Sequence, residues 1–225
     1  MECKDWNPEE KLNVKPKVLL IGHDPRLQNS KDEAEYALYS NFYFNKEVLK
    51  SRSEKQKYGL AAKSFGQILD ITNGRFKAEE IYVTNLCNKF LPSTAKKNQT
   101  VYIPETDAKD GYKRIVAILS QYKTIEYVFP MSQQVNYWLQ YFGLYHTDTD
   151  FLENAKPKQK GIDSEKPYYE AIQQGKHPFL NICGKVYEMI TGQKVIPILH
   201  TKQYNRLMAY FPCYERIRDT FRKLK

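Results

Sequence analysis

Three short segments carry side chains suited to chemistry, and each follows a run of apolar residues. Gly22-His23-Asp24-Pro25-Arg26 offers a carboxylate, Asn85-Leu86-Cys87-Asn88 an amide and His200-Thr201-Lys202 an imidazole. A carboxylate can orient a water, an amide is both donor and acceptor, and an imidazole can donate a hydrogen bond to a developing anion. A fourth segment, Pro130-Met131-Ser132-Gln133, ends another apolar run. No Gly-rich phosphate loop of the P-loop or dinucleotide kind is present, which lowers the reading of an enzyme for a small phosphorylated metabolite. The four cysteines, Cys3, Cys87, Cys183 and Cys213, show no C-x-x-C pairing and no histidine at zinc-ligand spacing. No metal is expected, and isolated thiols suit a reducing compartment.

The apolar runs are the elements that must hold these groups. Residues 17–22, 80–85, 125–130 and 195–200 are rich in Val, Ile, Leu and Tyr, the near-continuous apolarity of strands buried on both faces. Pro197 is disfavoured inside a central strand, so the fourth run is expected at an edge. Helical patterns fill the intervals: 61–70, stopped by Asn73-Gly74; 107–122, with Tyr112, Ile115, Val116, Ile118 and Leu119 on its apolar face; 133–142, capped by Ser132; 182–190; and 206–224. Strands alternating with helices predict an α/β fold, a three-layer α/β/α sandwich around a central four-stranded parallel sheet. Residues 31–58, polar and partly helical, and 147–161, read as a surface loop, look like insertions. In such a sheet ligands bind outside the carboxyl ends of the strands, where the acid, the amide and the imidazole converge.

The chain has 225 residues with no Gly/Ser/Pro-rich linker, which suits one domain over 1–225 with its core at about 15–225. Lys and Arg number 35 against 26 acidic residues, a net charge of +9 that favours a polyanionic partner. Eighteen Tyr and eleven Phe are available for stacking on bases as well as for the core. No apolar run approaches the roughly 18–20 residues of a membrane span. Met1 to Trp6 lacks the apolar stretch of a signal peptide. A cytoplasmic protein is expected.

Gly22-His23-Asp24-Pro25 resembles the first motif of uracil-DNA glycosylases, commonly Gly-Gln-Asp-Pro-Tyr. Ile81-Tyr82-Val83-Thr84-Asn85 is similar to their second-strand segment, which ends in a base-reading Asn. Ser64-Phe65-Gly66-Gln67-Ile68-Leu69-Asp70 resembles the Gly-Gln-Leu-Leu helix between those motifs, and Ile198-Leu199-His200 with Arg206 matches the His-Pro-Ser segment and its later Arg. The four fall in family order across roughly residues 15 to 225.

The resemblance implies hydrolysis of an N-glycosidic bond to a base flipped out of DNA, without cofactor or metal. Asp24 would orient a water and oppose the positive charge developing on the sugar, a charge logic like that of O-glycoside hydrolysis. His200 would hydrogen-bond the departing base, and Asn85 would read the edge of the flipped pyrimidine. Backbone amides near Gly22 and His23 would contact the base, because glycine allows close approach. The family's stacking Phe aligns with Ala61 or Ala62, so Phe42, Tyr43 or Phe44, with Phe44 preferred, would serve instead. Tyr204 stands where the family wedges a Leu into the minor groove, while Lys202 and Arg206 would hold phosphates. Lys89 lies near a lysine of an iron–sulfur branch whose cluster cysteines are not matched, so no cluster is expected. The expected partner is DNA and the expected state a monomer. The alternative is a module of the same fold that binds nucleic acid without catalysis.

Overall fold

The computed structural model describes residues 2–23, 34–48, 50–91, 101–157, 177–201 and 210–224. Strand β1 (Val18–Gly22), β2 (Ile81–Asn85) and β3 (Tyr127–Pro130) are buried at every position, as their near-continuous apolarity predicts. They pair in parallel, with β1 between the other two, and β3 pairs in parallel with β5 (Lys194–Val195). A short β4 (Tyr187–Glu188) joins β5 antiparallel, so the sheet has five strands in the order β2-β1-β3-β5-β4. The fold is therefore α/β with a mostly parallel sheet, one strand more than the four expected.

The extra strand comes from residues expected to be helical at 182–190. Gly184 and Gly192 both take positive φ, at 76° and 88°, which breaks a helix and turns the chain back as a hairpin. The amide of Met189 donates to Gln193 and that of Gly192 to Met189. Strand β5 itself is not an edge, because β4 pairs with it at Lys194–Val195, but β4 ends short of Pro197. The amides of Ile196 and Ile198 both donate to the β3 side, so the position without an N–H faces the other way, beyond the end of β4, where its carbonyl accepts from Gly184.

Helices flank the strands: α1 (Pro8–Leu12), α2 (Ser40–Phe44), α3 (Arg52–Ile71), α4 (Glu105–Gln121), α5 (Gln133–Tyr141), α6 (Phe151–Asn154) and α7 (Phe211–Lys223). Much of the expected insertion at 31–58 is thus α2 and the first turns of α3. A capping box starts α3: Ser51 Oγ accepts from the Glu54 amide at 3.1 Å and the Glu54 carboxylate from the Ser51 amide at 2.7 Å. Bonds from the Ser51 and Lys50 amides hold the Glu54 carboxyl below its ordinary range. The helix ends as expected at Asn73 and Gly74, both left-handed, with the Gly74 amide on the carbonyl of Leu69. Residues 147–161 are not simply a loop, since α6 buries Phe151 against Phe179.

Ser132 does not cap α5. Its φ of 80° and ψ of 157° are a conformation nearly confined to glycine, and its side chain makes no capping bond. The turn is held instead by Asn136, whose Nδ2 donates to the carbonyls of Pro130 and Ser132 at 3.0 and 2.7 Å. Tyr145 in turn donates to Asn136 Oδ1 at 2.6 Å, which explains why a polar residue sits fully buried in this helix. One cluster of buried apolar side chains runs from Cys3 to Phe221 across all these elements. Among the described residues no helix is long and apolar enough to cross a membrane.

Helix α4 presses on the exit of β2 at Gly111, where a Cβ would fall well inside contact distance of the Leu86 carbonyl. Gly111→Ala should therefore destabilise the protein by about 1–3 kcal/mol in urea melts, although helix propensity alone would make it stabilising by up to about 1 kcal/mol. His177, buried with its Nδ1 3.3 Å from the Tyr210 hydroxyl, is pushed down to about 4 by burial. The folded state then binds fewer protons than the unfolded one, so this contribution is present above pH 6.5 and is lost as pH falls toward 4. The expected loss is about 3 kcal/mol, and His177→Gln should flatten that part of the stability–pH curve.

Candidate functional site

Because β1, β2, β3 and β5 run parallel, their carboxyl ends open on one rim. Gly22 faces Asn85 in register, Met131 bridges to Ile198, and His200 follows two residues later. Asn85 and His200 are thus three strand spacings apart, about 14 Å in the hydrogen-bonding direction. The chain leaves β1 toward β2 and leaves β3 toward β5, so the topological switch point lies between β1 and β3. His23 and Ser132 flank that point.

Asn85 is fully buried, and neighbours hold it from several sides. Its main-chain carbonyl accepts from Arg114 of α4 at 2.5 Å, and its Nδ2 donates to the Cys3 sulfur at 3.3 Å. Its Oδ1 lies so close over Gly22 that no Cβ fits there, with Leu38 packed on the same spot. That oxygen has no hydrogen-bond partner among the described residues. Leaving a buried amide oxygen unpaired is unfavourable by about 1–3 kcal/mol. Leu38 and Tyr39, which cover this part of the rim, both have left-handed backbone, with φ of 51° and 58°.

The N-terminal segment supplies the other side of the Asn85 environment. The Asp5 carboxylate accepts from Thr84 at 2.6 Å and from Asn88 at 2.9 Å, and lies 3.6 Å from Arg114. Burial pushes the Cys3 thiol up to about 12, so it remains protonated. An open cavity of about 400 Å³ has Cys3, Asp5, Tyr36, Tyr82 and Asn88 among its walls. Lys89, at the end of this stretch, forms an ion pair with Asp107 at 2.6 Å.

The other motif residues act on the His200 segment. Gln67 Nε2 donates to the Leu199 carbonyl at 3.0 Å, and the Ser64 hydroxyl is 3.1 Å from that of Thr201. Two polar residues of α3 thereby clasp the chain on either side of His200, which is half-buried, whereas Gly66 faces open space. His23 is buried at the end of β1, where its carbonyl accepts from the Cys87 amide.

Phe44 is stacked on Trp6 with centroids 4.9 Å apart and meets Tyr43 and Phe65 edge-on. Its ring contacts are thus with a core aromatic group. Tyr43 stacks on Phe65 and Tyr58, and the Phe42 ring lies under Lys57. Asp24, Lys202, Tyr204 and Arg206 lie outside the described residues. Ser132, read from the sequence as a helix cap, is a rim residue that was not expected to belong to the site. Its Oγ is buried without a hydrogen-bond partner among the described residues, and the only signal was its place at the end of β3. Among the described residues no cluster of His, Cys, Asp and Glu could hold a metal ion. No protein-family model matches the chain, and no curated protein matches it significantly.

Gly22→Ala should destabilise the fold by about 1–3 kcal/mol through its clash with Asn85. Adding Asn85→Ala should recover part of that loss. A double-mutant cycle by denaturant melting measures the coupling, and strict additivity would mean that the two side chains do not meet.

Proposed function

We propose that the chain is a DNA glycosylase of the uracil-DNA glycosylase kind, a single three-layer α/β/α domain acting as a cytoplasmic monomer. It hydrolyses the N-glycosidic bond of uracil, or of a related damaged base, after the nucleotide is flipped from DNA. The observation that carries this reading is the Asn85 carboxamide, set at the carboxyl-end rim with an unsatisfied Oδ1. Bound to a pyrimidine edge, that oxygen would gain the partner it lacks. Support also comes from the clasp of Gln67 and Ser64 on Leu199 and Thr201, which gives the Gly-Gln helix a physical role in fixing the His200 segment.

In this reading Asp24, the residue after His23, orients the attacking water and opposes the cationic sugar. His200 donates to the oxygen of the departing base as its negative charge grows. Backbone groups of Gly22 and His23 line the base, Phe44 or a neighbouring ring supplies apolar cover, and Lys202, Tyr204 and Arg206 engage the DNA backbone and groove. The reaction as drawn needs no metal or cofactor.

One observation favours the second reading, a nucleic-acid-binding module without catalysis. Asn85 is wholly buried, with the Cys3 sulfur on its Nδ2 and Leu38 packed beside Gly22, so a base reaches it only if that cover moves. Incubation with single- and double-stranded oligonucleotides containing uracil, followed by alkaline strand scission, separates the two. The glycosylase should release the base, with Asp24→Asn reducing the rate by about 10²–10⁴-fold and His200→Ala by about 10²–10³-fold. Salt-sensitive DNA binding with no release in either substrate would establish the second reading instead.

A further inference from the structure

We propose that Cys183 and Cys213 form a reversible thiol–disulfide pair, closed by hydrogen peroxide, that links the turn after the short helix Pro178–Asn181 to the start of α7. The inference does not depend on the glycosylase reading. Cys183 stands in the turn after the short helix Pro178–Asn181, and Cys213 is the third residue of α7. The backbone next to Cys183 meets that of Cys213 closely: a Cβ on Gly184 would collide with the Cys213 carbonyl and lie 3.1 Å from its Cα. One guanidinium ties the two, since Arg216 Nη2 donates to the Cys183 carbonyl at 3.0 Å and lies 3.3 Å from the Cys213 sulfur.

Beside that backbone contact and the shared guanidinium, a hydrogen bond from the Cys183 thiol would favour a Cys213 thiolate. That bond and the Arg216 charge pull Cys213 down to about 7 against the opposing effect of burial. Cys183, fully buried, is pushed up and stays a thiol. Among the described residues the remaining ionisable groups facing the pair are Tyr214 from α7 and Tyr187 from β4, both pushed up by burial and therefore neutral. The arrangement is that of an attacking thiolate beside a resolving thiol. The pair also lies beside the chain leading to His200, because the amide of Gly184, next to Cys183, donates to the Pro197 carbonyl at 2.9 Å.

Both residues are buried, with Cys213 the more exposed at 3%, so the fitting oxidant is the smallest hydroperoxide. The Cys213 thiolate attacks one peroxide oxygen, breaking the O–O bond to give a sulfenic acid and hydroxide. The Cys183 sulfur then attacks the Cys213 sulfur, forming the S–S bond and expelling water with the Cys183 proton. Two thiol sulfurs are oxidised by two electrons in all, and one peroxide is reduced.

The test treats the full chain with hydrogen peroxide under native conditions at pH 6 and pH 8, alkylates free thiols after denaturation, and maps peptides by mass spectrometry. The expected product is a Cys183–Cys213 linked peptide, lost on reduction with dithiothreitol and formed about tenfold faster at pH 8. In Cys183→Ser, dimedone should trap a sulfenic acid at Cys213, whereas Cys213→Ser should leave Cys183 unmodified. The oxidised wild type should melt a few degrees above the reduced protein. Recovery of both cysteines as alkylated thiols, or oxidation of Cys3 or Cys87 ahead of them, would overturn the proposal. The wild-type peptide map decides this alone if a serine variant fails to fold.

Discussion

The structure hangs on β1. Each of its first four residues is fully buried, and both of its edges are bonded to parallel neighbours, so it has neither a free edge nor a free face. A strand in that position admits almost no slippage, because a shift of one residue would exchange its two apolar faces. Its end therefore fixes a reference point for the rim. Gly22 is located against Asn85 on one side, and Ile21 against Pro130 on the other. The strain at Ser132 and the crowding at Gly22 are tolerated beside this strand because the surroundings over-determine them.

Helices then refine what the sheet places. Arg114 from α4 holds the main chain of Asn85, Asn136 from α5 holds the turn after β3, and Gln67 from α3 holds the turn before His200. The chain at the ends of β2, β3 and β5 thus receives a polar bond from a different helix in each case. Such bonds are worth only about 0.5–1.5 kcal/mol each to stability. Their effect is to set direction: the backbone cannot rotate at these points without leaving a buried carbonyl unpaired.

Much of this was legible in the sequence. The three long strands announce themselves because burial on both faces leaves few polar positions, Thr84 and Asn85 at the end of β2 being the exceptions, and Asn73-Gly74 marks the end of α3 through its left-handed backbone. Residues 182–190 misled because Ile182, Val186, Met189 and Ile190 suit a helical face, while the two-residue β4 is too short to carry an alternating pattern. Ser132 has the composition of a cap, but its strained backbone turns it away from that role, and no local rule reveals strain imposed by neighbouring strands. The cover over Asn85 and the meeting of Cys183 with Cys213 join residues far apart in the chain, so spacing could not disclose either. The helix and strand layout was therefore accessible, and the environment of the rim was not.

The pairing of residues 2–6 has a wider effect. Trp6 exchanges both backbone hydrogen bonds with Val83, and the Cys3 amide donates to the Asn88 carbonyl, along the flank of β2 away from β1. Without that segment the β2 flank would present unpaired amides and carbonyls, the template on which sheets of separate molecules join. The same stretch carries the thiol that lies against Asn85. One short ribbon thereby both closes the open flank of β2 and packs against a wholly buried amide, so a change within residues 2–6 would disturb the sheet edge and the surroundings of Asn85 together.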